Sequence, residues 1–418
     1  MSHSILGIRG RPLLLCLCAF VGVAGLSAAA FAADKPKQEI SHTIGKEMNA
    51  AQKTIAVSQW AEALKNLEAA EAKSGLTNFD KFKINDFKAF IYIKMNNMKA
   101  AQTAIEAAMA TGEYTPEEAA QKTKALFRIA ASSQQNAKAI EYGKSFADGP
   151  QGSVEDLTIM SQLYYQQKDC KDAGVWVDKT IAAAKKAGEA PKELVYQIKL
   201  QCASDSGDTA AMKAELYDLV RLTNKSSYWN SLIRLERQDE RDDHNILMIY
   251  RIMYDTNSMN VDTDFIEMAQ LLGDASLPGE AEAVLEKAMS SGALKDEHKE
   301  RTTRLLAALK TRADADKKAL PQLDAEAQKS PAGQLDVKLG EVYFGAGDYQ
   351  NAATAINRGI GKAQIKALDE AYVYLGRAQV VLKNNAEAKK AFEKLKSVPN
   401  ESPRVLKLWE LYSDKLGS

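Results

Sequence analysis

The sequence predicts an all-α fold: a solenoid of about ten helical hairpins closed by a C-terminal capping helix. Three observations carry this expectation. The chain of 418 residues is 45% apolar but only 7% aromatic, and Ala is abundant. Helices draw on Ala, Leu, Glu and Lys, whereas strands draw on β-branched and aromatic side chains. A small residue recurs in phase along most of the chain, about 36 residues apart. Around each recurrence the apolar residues follow spacings of 3 and 4, the period of a helix face.

The elements follow in order. Residues 1–32 read as a cleavable signal peptide: Arg9 and Arg11, an apolar run over 13–26, then small residues with Ala30 and Ala32 at an A-x-A site. An uncleaved anchor is the alternative, but the run is shorter than the roughly 20 residues that cross a bilayer. Export into the periplasm is therefore expected. Residues 33–40 form a short linker, 41–400 the repeats and 401–418 the cap.

Within 41–400 each unit shows a polar turn, then Ala, then an apolar or small residue four positions on. The pairs are Ala63 with Leu67, Ala101 with Ile105, Ala139 with Gly143, and Ala173 with Val177. Later come Ala281 with Leu285, Ala319 with Leu323, Ala352 with Ile356, and Ala388 with Phe392. Two degenerate copies, near Met212 and Leu247, fill the gap after Ala173. Two antiparallel helices approach closely only where small residues meet. The partners lie about twelve residues earlier: Ala51, Ala89, Ser161, Ala269, Gly340 and Gly376. Turns fall at Asn96-Asn97, Gly207-Asp208, Gly347-Asp348 and Asn384-Asn385, residues that tolerate a left-handed backbone. Pro116, Pro150, Pro191, Pro331 and Pro399 fall at connections between units. Arg404 to Leu416 reads as the capping helix, with Trp409 and Tyr412 on its apolar face.

These residues resemble the tetratricopeptide repeat (TPR) family. The best matches are Leu339-Gly340-Glu341-Val342-Tyr343 with Gly347 to Ala352, and Leu375-Gly376 with Ala388, Phe392 and Pro399. The resemblance implies a right-handed superhelix whose first helices line a concave groove. On this chain it assigns Lys83, Asp86, Phe90, Lys124, Arg128, Gln162, Tyr165, Gln270, Glu341, Phe344 and Arg377 to that groove. Aromatics beside Arg, Lys and Gln suit an extended peptide. The alternative for Phe90, Tyr165 and Phe344 is packing between units. A second stretch resembles periplasmic TPR proteins that accompany the TonB–ExbB–ExbD system: Tyr228 to Leu232, Phe265 to Leu271 and Leu277 to Gly292. That likeness implies an accessory role in outer-membrane uptake. A structural assembly factor for envelope or exopolysaccharide export is the alternative.

Four Cys occur, and cleavage of the leader would leave Cys170 and Cys202. A pair in an oxidising compartment reads as a disulfide, with two buried thiols as the alternative. Chemistry is absent from the sequence pattern. There is no H-E-x-x-H, C-x-x-C, G-x-S-x-G or P-loop. His42, His244 and His298 fall near expected helix ends and read as solvated or capping, and Asp242-Asp243 as a helix cap. The mixed-charge run from Arg234 to His244 reads as a solvated hairpin turn. The balance of 55 basic and 55 acidic residues lacks the basic stripe of a nucleic-acid binder. The expectation is a non-enzymatic scaffold for an envelope protein or peptide, without cofactor, metal, nucleic acid or membrane span.

Overall fold

The computed structural model describes residues 38–399 and 401–417, so the expected signal peptide lies outside the described residues. Within them are twenty α-helices, one 3-10 turn and no strand. They fall into two compact units that divide after Pro191.

Unit 1 holds four hairpins: α1 (Gly45–Ala56) with α2 (Trp60–Glu71), α3 (Asn78–Lys94) with α4 (Met98–Ala110), α5 (Pro116–Ser132) with α6 (Asn136–Lys144), and α7 (Val154–Gln166) with α8 (Cys170–Lys186). Unit 2 opens with three more: α9 (Glu193–Ser206) with α10 (Thr209–Thr223), α11 (Ser226–Arg237) with α12 (Asp243–Asp255), and α13 (Asp262–Asp274) with α14 (Pro278–Ser290). A single long helix follows, α15 (Asp296–Lys329). Then come α16 (Gln334–Gly345) with α17 (Tyr349–Lys362), α18 (Leu368–Val381) with α19 (Asn385–Lys394), and the last helix α20 (Pro403–Asp414).

The recurring alanines are the crossing points of these hairpins. Ala63, Ala101, Ala139, Ala173, Ala281, Ala352 and Ala388 are all fully buried. Their partners are as tight. A Cβ on Gly340 would sit 2.4 Å from the Ile356 side chain, and one on Gly376 would sit 2.4 Å from the Phe392 ring. At this separation helix backbones interlock and any larger side chain must push them apart.

One turn recurs in eight of the nine hairpins of the described residues. A residue with positive φ (Ser58, Asn96, Gln134, Lys168, Gly207, Ser276, Gly347 and Lys383) follows the first helix. The next residue donates its N–H back to a carbonyl five positions earlier, as Asn97 does to Tyr92 and Asp348 to Tyr343. That is a Schellman closure, and the same residue then caps the second helix in several units. Asn97, Asp169, Asp208 and Asp348 each accept a backbone N–H there. Five of the eight positive-φ positions carry neither Gly nor Asn, so tertiary packing imposes the turn where side-chain preference does not.

The unit expected around Ala319 does not form. Residues 296–329 run as one helix through Pro321, Ala319 is exposed, and Ala327 is buried in its place. Over residues 305–318 Ala, Leu, Lys and Arg predominate and no Gly, Asn or Pro occurs, which favours continuing the helix.

The cap forms as expected. Trp409 stacks on Phe392 of α19 at 4.9 Å, and Tyr412 meets the same ring edge-on at 5.6 Å. The helix also packs on α12 and α10 within unit 2. Lys407 Nζ lies 3.7 Å from the Tyr217 ring, and Lys415 Nζ donates to the Arg221 carbonyl. The last hairpin and cap of unit 2 thus return onto its early helices.

Candidate functional site

In unit 1 the first helices of successive hairpins are tied by ion pairs. Asp86 on α3 accepts from Lys122 Nζ of α5 at 2.7 Å and from the Tyr114 hydroxyl at 2.5 Å. Asp156 opens α7 in a capping box with Ser153 and is fully buried there. It accepts from Arg128 of α5 and lies 2.8 Å from Lys124 Nζ. Burial alone would raise its carboxyl, but Lys124, Ser153 and Arg128 hold it below the ordinary range. Phe90 is 42% exposed and edge-on to Trp60 at 6.0 Å, with Lys94 Nζ over its ring. Lys83 lies over the Phe82 ring, and Gln162 and Tyr165 are half-buried on α7. The unit 1 residues of the expected groove therefore lie on its partly accessible surface, but most of its charged members already hold neighbouring helices together.

Unit 2 treats the corresponding residues differently. Gln270 is half-buried, whereas Glu341, Phe344 and Arg377 are buried, so the groove assignment of these three is corrected. The return of α18 and α20 onto α12 turns their faces inward. Phe344 packs between Tyr349 and Tyr374, with centroids at 5.1 and 5.0 Å, and the Arg377 guanidinium covers its ring.

At the centre is a buried charge network. Arg251 of α12, with no exposed surface, donates to Glu280 of α14 at 3.1 Å and to the Tyr374 hydroxyl of α18 at 2.8 Å. Tyr374 donates to the same Glu280 oxygen at 2.5 Å. Arg377 forks onto Asp255 at 2.8 and 3.0 Å and also donates to Glu280. Burial alone would raise the Glu280 carboxyl, but Arg251 and Arg377 hold it down at about 2. Nearby, His244 of α12 pairs with Asp369 and lies 3.5 Å from Glu370, both on α18. Those hydrogen bonds raise the imidazole to about 10. His244 does begin a helix, but it bridges helices instead of standing in solvent. His298 likewise bonds Asp262 at 2.6 Å. The run from Arg234 is corrected too: Arg234 pairs with Asp264, Arg237 with Glu267, and the buried Glu236 accepts from Lys213. Asp242 caps α12 as expected, accepting from the Asn245 N–H.

Above this network lies a cleft of about 380 Å³ in unit 2. Its floor is Arg377, Glu280 and Asp255. Its walls are Glu282 and Glu286 of α14, Lys317 of α15, Tyr349 of α17, Val380 and Val381 of α18, and Tyr412 of α20. Gly279 and Gly345 bring α14 and α16 into backbone contact at its edge: a Cβ on Gly279 would lie 2.9 Å from the Gly345 Cα. Sequence reasoning missed Arg251, Glu280, Glu282 and Tyr374. One signal was available: Arg251 interrupts the apolar run from Ile246 to Met253, and a charge at such a position is buried with a partner.

Cys170, the first residue of α8, and Cys202 of α9 are both disulfide-bonded. Among the described residues no group of three or more His, Cys, Asp or Glu is placed to hold a metal ion, and no helix is long and apolar enough to cross a membrane.

No protein-family profile and no curated protein matches this sequence. Solved structures do resemble it. A tetratricopeptide repeat protein from Parabacteroides merdae is 11% identical over 79% of this chain and 98% of its own, with a TM-score of 0.29. The C-terminal part of a TPR repeat-containing protein from Cytophaga hutchinsonii is 12% identical over 86% of this chain and 98% of its own, at 0.31. The P58(IPK) TPR domain is 14% identical over 82% of this chain and 98% of its own, at 0.22. At these scores none of them fixes a partner or an overall arrangement for this chain. Its own packing defines the repeat: helical hairpins that cross at a buried alanine and close through a left-handed residue.

Proposed function

We propose that this chain is an exported, non-enzymatic scaffold that holds a segment of another envelope protein. One observation carries the reading: unit 1 presents Phe90 and Lys83 on α3 and Gln162 and Tyr165 on α7, two of its first helices, partly accessible and set among polar groups. Such a surface offers an aromatic anchor with hydrogen-bonding neighbours, the mixture that extended peptides dock on. The disulfide-bonded Cys170 and Cys202 support an oxidising compartment, the periplasm in this reading.

A photocrosslinking residue at Phe90 or Tyr165 tests the proposal in cells. Discrete adducts with one envelope protein are expected there and none from Trp229, which is fully buried. Adducts from neither unit 1 position would overturn it, as would catalytic turnover abolished by a single substitution.

The narrower form is an accessory of TonB-dependent transport, and the alternative is assembly of envelope or exopolysaccharide export machinery. The residues behind the TonB likeness are largely packing positions: Trp229, Leu232, Met268, Ala269, Ala281 and Leu285 are fully buried. That likeness therefore speaks for shared packing more than for a shared surface. Deletion separates the two forms: lost growth on ferric siderophores supports the first, and lost polymer export the second.

A further inference from the structure

Glu282 is 7% exposed, and its Oε2 has no hydrogen-bond partner. It lines the unit 2 cleft. Lys317 Nζ lies 3.6 Å from that oxygen and Lys310 Nζ lies 3.7 Å from Oε1, both on α15 and both beyond hydrogen-bond length. A buried carboxylate oxygen without a donor is costly, and a donor that reached it would recover that cost. Glu286, half exposed on the next turn of α14, extends the acidic wall outward.

Other lining residues of the cleft suit an alkyl stem. Val381 is 50% exposed, and Val380, Tyr349 and Tyr412 stand beside it. The rings around the cleft already attract cations: Lys287 Nζ lies 4.1 Å from the Tyr254 centroid, and the Arg377 guanidinium 4.9 Å from that of Phe344. An anionic ligand fits less well. Arg377 is buried, and Asp255 and Glu280 take up its donors. Lys317 alone remains, beside Glu282.

We propose that this cleft receives a lysine or arginine side chain from an extended basic segment of the partner, with Glu282 accepting its charged head and Val380, Val381 and Tyr349 packing its stem. The inference rests on the protein-binding reading above and names the chemistry of one contact. In the free protein Lys317 and Lys310 stand near Glu282 as partly exposed counter-ions, and the incoming head displaces them.

The test uses the full chain and dye-labelled peptides of alternating Lys and Ser, or of Glu and Ser, read by fluorescence anisotropy, with spermine as a free polyamine. The Lys peptide should bind and the Glu peptide should not. Glu282→Gln should weaken the Lys peptide at least tenfold. Lys317→Ala should strengthen it, because a competing cation is gone. Lys317 is partly exposed, so that variant keeps the test valid even if Glu282→Gln fails to fold. Equal binding of both peptides, weaker binding by Lys317→Ala, or binding of spermine without the Lys peptide would each overturn the proposal. Loss of this binding with crosslinks at Phe90 retained would sink the cleft and leave the scaffold reading standing. Loss of both would remove the two together.

Discussion

The two units use one hairpin repeat for opposite ends. In unit 1 the ion pairs run between neighbouring hairpins, Asp86 tying α3 to α5 and the buried Asp156 tying α5 to α7, each with partly exposed cations. In unit 2 the charges lie inside, where Arg251, Glu280, Tyr374 and Arg377 join helices more than a hundred residues apart. Surface ion pairs between exposed groups contribute little, about 0–1 kcal/mol each. A buried network constrains geometry more strongly, because every member left alone pays the full cost of desolvation. The repeat thus supplies a scaffold, and where the polar groups fall decides whether that scaffold presents a face or closes over one.

Glu280→Ala should break this contrast most severely. It leaves Arg251 without its carboxylate in a fully buried site, and a cost of about 3–5 kcal/mol is expected. Hydrogen exchange should rise across α12, α14 and α18 while α1 to α6 keep their protection; uniform loss of protection would contradict a network local to unit 2. Next in size is a matched pair. Ala281→Leu overfills a fully buried crossing and should cost about 1–3 kcal/mol, whereas Ala319→Leu on the exposed face of α15 should stay within about 0.5 kcal/mol. Equal melting of the two variants would mean that burial does not separate true crossings from chance alanines.

Unit 1 has its own counterpart. Asp156→Ala removes a capping box and the partner of Lys124 and Arg128, at about 1–2 kcal/mol, and should loosen α7 in hydrogen exchange without touching α18. The smallest effect concerns pH. The His244 imidazole is raised from 6.5 to about 10 by Asp369 and Glu370, so its contribution is complete below pH 6.5 and fades as pH rises toward 10. Burial acts to raise Asp369 and Glu370, but His244 holds both lowered, so their contribution fades instead as pH falls through the carboxylate range. His244→Gln should flatten the alkaline limb of the stability profile; an unchanged limb would show that the pair contributes nothing there.

Much of this was legible in the sequence. Alanine phase, turn residues and the cap around Trp409 depend on residues close in the chain, whose spacing states their role directly. Ala319 misled because a small residue in phase looks the same whether or not a turn precedes it. The groove assignment carried over a face from a regular repeat, and it erred at Glu341, Phe344 and Arg377, where distant helices cover that face.

The sequence by itself determined the class, the period and the hairpin crossings, because each hairpin packs its own neighbouring residues and Ala63 or Gly376 must be small whatever lies beyond. Only the tertiary structure decided which charges are buried and where a cleft opens. Arg251 and Tyr374 meet because α18 returns onto α12, a contact spanning 123 residues that no local pattern encodes.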